Sequence, residues 1–208
     1  MNKGLMRILI SAAVLFISVN ICGCKNWQYD VEKYNIRFKK IRQSESGNII
    51  GYMTENHTVQ GFPCEKGWIH FKENGRVRFL QLSKDFMYRG TLLPAHTWYH
   101  LPYTDSIEGY ICSFPYDCVV QGHLCEGTGG SKGTSTGFYE SGRLRSFYPP
   151  DDIEIDGVPC EASPFVNVWL HEKSGRLKRC KLSRNYEAHG RIYKKGSLVE
   201  FDENGKVK

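Results

Sequence analysis

The chain has 208 residues, of which 28 are basic and 22 acidic, so its formal net charge at pH 7 is +6. This mild positive charge is spread along the chain, which argues against the concentrated basic face that nucleic-acid binding requires. Aromatic residues make up 13% of the chain and glycines number 21, a composition that favours β-structure with many turns over a helical bundle.

The first 24 residues are typical of an export signal. Lys3 and Arg7 precede an almost unbroken apolar run over residues 8–19. A short apolar core behind a basic start is the pattern of a signal peptide, and it is too short for a membrane-spanning helix. The sequence therefore predicts a signal-peptide helix over residues 1–23 and a mature chain outside the cytoplasm.

The end of this signal, Ile21-Cys22-Gly23-Cys24, resembles the lipobox of bacterial lipoproteins, in which a small residue precedes the cysteine that is lipidated. The resemblance implies that Cys24 becomes the first mature residue and is attached to a membrane by its lipid. Because Lys25 follows the cysteine, and an Asp there would imply retention at the inner membrane, it also implies the periplasmic face of the outer membrane in a Gram-negative host. A cleaved signal peptide without a lipid is the alternative.

Residues 24–42 connect the predicted lipid anchor to the rest of the chain. Tyr34, Ile36 and Phe38 alternate with polar residues, which predicts a first strand. The basic side chains of this segment would also suit anionic lipid headgroups beside the anchor. Of the two interpretations, the strand is preferred.

Residues 43–208 contain six similar turns, each with a glycine and spaced 28 to 34 residues apart. Glycine supplies the positive φ that a tight hairpin turn demands, and an apolar residue stands two positions after each glycine. The sequence thus predicts six β-hairpins. Their turn glycines are Gly47, Gly75, Gly109, Gly142, Gly175 and Gly205.

A second glycine follows each of the first five turns by 13 to 15 residues, and three of these glycines open a Gly-x-x-Cys string, at residues 61–64, 122–125 and 157–160. A single hairpin cannot bury its apolar face alone, so the hairpins must stack. The predicted fold class is all-β, with tandem antiparallel β-hairpins forming an extended twisted sheet or a β-solenoid. A bent sheet or barrel of ordinary topology stays open.

Two segments carry a family resemblance: residues 71–77 (Phe-Lys-Glu-Asn-Gly-Arg-Val) and 201–207 (Phe-Asp-Glu-Asn-Gly-Lys-Val). They resemble MORN-type repeats, particularly bacterial variants in which a strand, an Asn-Gly or Ser-Gly turn and a second strand recur. The resemblance extends roughly over residues 43–208 and implies an array of strand–turn–strand units. The usual unit is shorter and carries a Tyr/Trp-Gly pattern that this chain lacks, so longer segments must separate the hairpins here.

Six cysteines follow Cys24, which in an oxidising envelope compartment allows up to three disulfides. The sequence predicts at least one structural disulfide but does not choose the pairing. It predicts no redox site, because the mature chain has no Cys-x-x-Cys pair. The six candidates are Cys64, Cys112, Cys118, Cys125, Cys160 and Cys180.

Cys118, His123 and Cys125 are candidate metal ligands, because Cys and His side chains suit zinc. Their spacing matches no familiar zinc module, and a tetrahedral site needs a fourth ligand. His96 and His100 lack the intervening Glu of a zinc-protease helix. The sequence therefore predicts neither a metal nor a cofactor.

Two loops have compositions that suggest ligand binding. The acidic segment 151–156 lacks the pattern of a calcium loop, and the glycine-rich segment 127–133 lacks the Gly-Lys-Ser/Thr ending of a phosphate loop. Both are interpreted as surface loops. No Gly-x-Ser-x-Gly nucleophile elbow is present.

The sequence thus predicts a non-enzymatic, membrane-anchored envelope lipoprotein that binds a protein or envelope component, or acts as a structural module. Trp68, Trp98 and Trp169 are the candidate interface residues, because exposed aromatics beside arginines suit interfaces. One alternative is an immunity protein that neutralises a toxin, as the resemblance to variant repeats implies. Another is an envelope hydrolase, for which a deep cleft holding a paired His and carboxylate would be diagnostic.

Overall fold

The computed structural model describes residues 26–101, 109–127 and 135–208. The predicted signal peptide and Cys24 lie outside these residues, as does most of the glycine-rich segment. All regular structure in the described residues is β, in 22 strands, which confirms the all-β fold class. None of the described segments forms a helix long and apolar enough to cross a membrane.

Twelve strands form one antiparallel sheet in which each strand pairs with the next one in the series. Successive long hairpins therefore lie side by side, as predicted for a tandem array. In sheet order the strands are β1 Gln28–Lys33, β2 Ile36–Gln43, β3 Ile49–Met53, β6 Gly67–Phe71, β7 Val77–Gln81, β10 Trp98–His100, β11 Tyr110–Ser113, β14 Thr136–Phe138, β15 Leu144–Phe147, β18 Val168–Leu170, β19 Leu177–Lys181 and β22 Leu198–Glu200.

The other ten strands form five short hairpins of three residues per strand, one between each pair of long hairpins. Each turns at one of the second glycines of the repeat, which have φ between +72° and +88°. The pairs are β4 His57–Val59 with β5 Phe62–Cys64, β8 Phe86–Tyr88 with β9 Thr91–Leu93, β12 Cys118–Val120 with β13 His123–Cys125, β16 Ile153–Ile155 with β17 Val158–Cys160, and β20 Tyr186–Ala188 with β21 Arg191–Tyr193.

The core lies between the long sheet and the short hairpins. Alternate residues of the sheet strands, such as Ile69 and Phe71 in β6, are fully or almost fully buried, as the period of a strand with one covered face requires. Phe62 of a short hairpin packs on Tyr99 of the sheet with ring centroids 4.8 Å apart. The short hairpins thus cover one face of the sheet, and we call the opposite face the open face.

Each short hairpin is held by the same side-chain cap. An Asn or Asp five residues before the hairpin glycine accepts a hydrogen bond from the backbone N–H ten residues further along the chain, at 2.8 to 2.9 Å. Asn and Asp suit this task because their short side chains reach nearby backbone donors. The five capping residues are Asn56, Asp85, Asp117, Asp152 and Asn185.

Neighbouring long hairpins are joined at their turns. The Ser141 hydroxyl donates to Glu172 at 2.8 Å, and the Arg143 guanidinium donates to the carbonyl of Glu172 at 2.7 Å. One repeat later, Ser174 donates to Glu203 at 2.9 Å and Arg176 to the carbonyl of Asn204 at 3.0 Å. The recurring Ser-Gly-Arg turn therefore binds the next turn of the array.

Candidate interaction surface

The open face carries one continuous row of residues, one from each strand from β2 to β22. Each member lies directly opposite the next across the strand pairing, so the row runs the length of the sheet; we call it the open-face row. In sheet order it consists of Arg42, Ile50, His70, Phe79, His100, Ile111, Gly137, Ser146, Trp169, Arg179 and Glu200.

Three β-bulges add basic residues beside this row. In β6–β7, Phe71 pairs with Val77 and His70 with Phe79, which leaves Arg78 as the extra residue. The same shift leaves Arg145 in β15 and Lys178 in β19. A bulge turns its extra side chain away from the regular alternation, so a basic residue three positions after the turn glycine lies on the side of the open face. Arg78 and Arg145 are buried there by their neighbours, and Lys178 is half-buried.

At the N-terminal end, two groups of packed rings lie beside two cations; one group is Trp27, Tyr52 and Trp68, and the other is His70, Phe79 and Trp98. Within each group the contacting ring centroids are 4.7 to 5.9 Å apart. Lys40 Nζ lies 5.0 and 5.1 Å from the ring centroids of Trp27 and Trp68. Arg42 lies 4.9 Å from the ring centroid of Trp27. We call this cluster the N-terminal aromatic patch, comprising Trp27, Lys40, Arg42, Tyr52, Trp68, His70, Phe79 and Trp98.

A shallow groove of about 440 Å³ crosses this patch. No carboxylate lines it within the described part of the chain. Burial, together with the smaller effects of the Arg78 and Arg42 charges, lowers the pKa of His70 to about 4. Burial and Arg78 also lower the pKa of His100. At neutral pH both imidazoles are therefore uncharged, and the positive charge of this end comes from Lys40 and the arginines.

At the C-terminal end, Trp169 lies between two arginines. The ring centroid of Trp169 is 5.8 Å from the guanidinium carbon of Arg145 and 5.1 Å from that of Arg179. A small groove of about 130 Å³ beside it is lined by Trp169, Lys178, Arg179 and Glu200. Two cations, one acid and an indole in a shallow depression suit a ligand with both a carboxylate and an apolar part.

The structure places all three predicted interface tryptophans on the open face but not at one site. Trp68 and Trp98 belong to the N-terminal aromatic patch, whereas Trp169 lies at the other end of the open-face row. The cations Lys40, Arg145, Lys178 and Arg179 were missed by the sequence analysis. The repeated Gly-Arg/Lys-x-Arg/Lys pattern after the turns, as in residues 75–78 and 142–145, was the available signal.

The six cysteines of the described chain are all thiols in the structure. Cys118 lies directly opposite Cys125 in β12–β13, and the thiol of Cys160 contacts that of Cys180, which raises the pKa of Cys160 together with burial. Burial raises the pKa of Cys64 and of Cys125 to about 12. The disulfide prediction is not tested by this arrangement, but the Cys160–Cys180 contact joins a short hairpin to the sheet.

The residues weighed as metal ligands have other contacts. His123 packs on Phe147 with ring centroids 5.1 Å apart, and His96 Nδ1 lies 2.7 Å from Glu65. Among the described residues, no group of three His, Cys, Asp or Glu side chains is placed to hold a metal ion.

The acidic segment 151–156 is used for structural contacts. Asp152 caps its own hairpin, and Glu154 accepts a hydrogen bond from Arg184 at 2.7 Å. Asp156 accepts one from the backbone N–H of Leu177 at 2.8 Å. Each carboxylate is thus directed at a different partner, and the three do not converge on a common point.

Gly47, Gly75, Gly109, Gly142, Gly175 and Gly205 all have φ between +70° and +97°. Gly75, for example, lies in the turn between β6 and β7, where its N–H donates to the carbonyl of Lys72 at 2.9 Å. The turns thus have the backbone geometry that only glycine adopts without strain.

Comparison with known proteins finds no matching family model, no similar curated protein and no similar solved structure.

Proposed function

We propose that this protein is a lipid-anchored envelope protein that binds an acidic partner protein through the open face of its sheet. The observation that carries the proposal is the open-face row, whose charged members are two arginines and a single acid, Glu200, and whose aromatic members include Trp169. The short hairpins cover the opposite face, so the array leaves one long surface for a partner.

The Trp169 end of the row is the proposed centre of the partner-binding site. Interface hot spots are enriched in Trp and Arg, and here Arg145 and Arg179 hold the indole from two sides. Lys178 adds a third cation beside the groove. A carboxylate of the partner would lie between Lys178 and Arg179, while an apolar side chain would pack on the indole.

The experiment is a cross-linked pull-down of the tagged protein from its own membranes, quantified by mass spectrometry. We expect Trp169→Ala and Arg179→Glu each to reduce recovery of one stoichiometric partner by about tenfold or more, as for a central hot spot. The matched control is Ile192→Ala, which removes an exposed apolar side chain from the short hairpin side of the fold. Recovery that is equal in all four proteins would refute the proposal.

A further inference from the structure

The N-terminal aromatic patch is close in sequence to the predicted lipid anchor. Cys24 precedes Trp27 by three residues, and three residues of fully extended chain span at most about 10 Å. If Cys24 carries the lipid, the backbone of Trp27 lies within about 10 Å of the lipidated residue, and its ring extends from there by the length of the side chain. The part of the patch that contains Trp27 would therefore lie close to the bilayer.

The chemistry of the patch matches that of a membrane–water interface. Tryptophan and tyrosine are enriched there because their rings are apolar with one polar group, and the patch contributes Trp27, Trp68, Trp98 and Tyr52. The ammonium group of Lys40 lies over the rings of Trp27 and Trp68. A basic side chain near an anionic leaflet is attracted to the lipid headgroups.

The shape and charge of the groove agree with this chemistry. The groove is shallow, is lined mainly by rings, and has Arg42 at its margin with no carboxylate from the described residues. A lipid headgroup phosphate beside Arg42 and acyl carbons against the rings would satisfy both halves of the surface. An acidic protein segment would leave most of the ring area without an apolar partner.

We propose that the N-terminal aromatic patch docks on an anionic phospholipid bilayer, the same bilayer that holds the lipid of Cys24. The sheet then lies with its first strands against the membrane, and its Trp169 end is left free for the partner. This inference rests on the lipid anchoring in the proposed function, but not on the partner.

The test uses the lipidated protein reconstituted into vesicles that contain brominated phospholipid, which quenches nearby tryptophan fluorescence. One version keeps Trp68 alone and another keeps Trp169 alone, with Phe at the other tryptophan positions. We expect Trp68 to be quenched at least about twofold more than Trp169, because interfacial aromatics lie at headgroup depth. Equal quenching of the two would overturn the proposal.

The lipid class is tested by composition and by charge reversal. In the Trp68 version, quenching should be stronger in phosphatidylglycerol vesicles than in phosphatidylcholine vesicles, and Lys40→Glu with Arg42→Glu should abolish the difference. The control is Lys194→Glu with Lys195→Glu, the same charge change at two exposed residues that follow the last short hairpin, and it should retain the difference. Quenching that is the same in both lipids would overturn the anionic assignment.

The anchor and the docking are separated by two further measurements. The intact mass shows whether Cys24 carries a lipid, and the fraction of protein that floats with the vesicles shows whether the anchor holds. A protein that has the lipid and floats, but shows no preferential quenching of Trp68, contradicts docking while leaving the anchoring intact. Partner recovery through Trp169 is independent of both.

Discussion

The side chain of Gln121 holds the turn at Gly142 by both of its polar atoms. Its Nε2 donates to the carbonyl of Gly142 at 2.8 Å, and its Oε1 accepts from the N–H of Leu144 at 3.0 Å. Gln60 makes the same pair of bonds to the turn at Gly75, at 2.7 and 3.0 Å. A residue of the short hairpin thereby satisfies backbone groups of the next long hairpin and joins the two layers.

We expect Gln121→Ala to lower the free energy of unfolding by about 1–3 kcal/mol, because two backbone groups lose their partners. The matched control is His189→Ala. His189 occupies the same place in the last short hairpin, with φ +53° against +49° for Gln121, and it is exposed. Urea denaturation of both variants measures the difference. An equal loss of unfolding free energy in the two would show that the two hydrogen bonds of Gln121 contribute nothing to stability.

Gly142 and Gly175 allow backbone strain to be separated from steric contact. Both have positive φ, at +87° and +70°, but a Cβ at Gly142 would lie 2.4 Å from the carbonyl oxygen of Arg89, whereas one at Gly175 would meet no atom within 4 Å. Alanine at either position costs roughly 1–2 kcal/mol for the left-handed conformation. Gly142→Ala should cost about 1–3 kcal/mol more through the clash. Thermal and urea denaturation of the two variants test this order.

The hairpin array could be predicted because its signals are local. Gly75 and Gly142 stand in dipeptides that favour tight turns, and the alternation in Ile69 to Phe71 identifies the buried face. The short hairpins were not predicted as a separate layer, although Gly61 and its counterparts were recognised. Three-residue strands carry too little periodicity to be told from loops.

The open-face row could not be predicted, because it depends on register between strands. Trp169 and Arg179 are ten residues apart in sequence, and they are opposite each other only because a bulge at Lys178 shifts the pairing. The hydrogen bond between Gln121 and Gly142 could not be predicted either, since the packing of two layers brings these residues together. A side chain's partner across a sheet is a tertiary property that local patterns do not encode.

The half-buried imidazole of His70 makes stability depend on pH. Its pKa in the folded protein is lowered to about 4, chiefly by burial, whereas an unfolded histidine titrates near its reference value of about 6.5. Between these values the unfolded chain binds more protons than the folded one, so stability falls as pH drops from about 6.5 to about 4. His100, whose pKa is also lowered, acts in the same direction.

The measurement is the urea midpoint at pH 7.0, 5.5 and 4.5. His70→Gln removes one titrating group, so its midpoint should fall less steeply with acidification than that of the unmodified protein. His189→Gln, at an exposed position of the last short hairpin, serves as the control and should keep the original slope. If His70→Gln retains the full slope, His70 is not a source of the acid sensitivity.

Cys160 and Cys180 are suited to forming a disulfide in an oxidising compartment. Cys160 ends the short hairpin β16–β17 and Cys180 lies in β19, and their thiols are in contact. Oxidation would transfer two electrons from the two thiols to a disulfide-bearing oxidase, with loss of two protons, and form one S–S bond. Closing a loop of about 20 residues would stabilise the fold by roughly 3 kcal/mol.

Cys64 provides the matched control, because it occupies the position of Cys160 three repeats earlier. The backbone of Cys64 pairs with that of Leu82 in a β-bridge, as the backbone of Cys160 pairs with that of Leu182. Two residues before that leucine, the chain has Leu80 in the first case and Cys180 in the second. We therefore expect peptide mapping without reductant to recover Cys160 linked to Cys180 and Cys64 as a thiol. Reductant should lower the melting temperature of the exported protein and of Cys64→Ala, but not that of Cys160→Ala. Six free thiols in the exported, denatured protein would contradict the pairing. The contact between Cys160 and Cys180 would then hold the short hairpin on the sheet by packing alone.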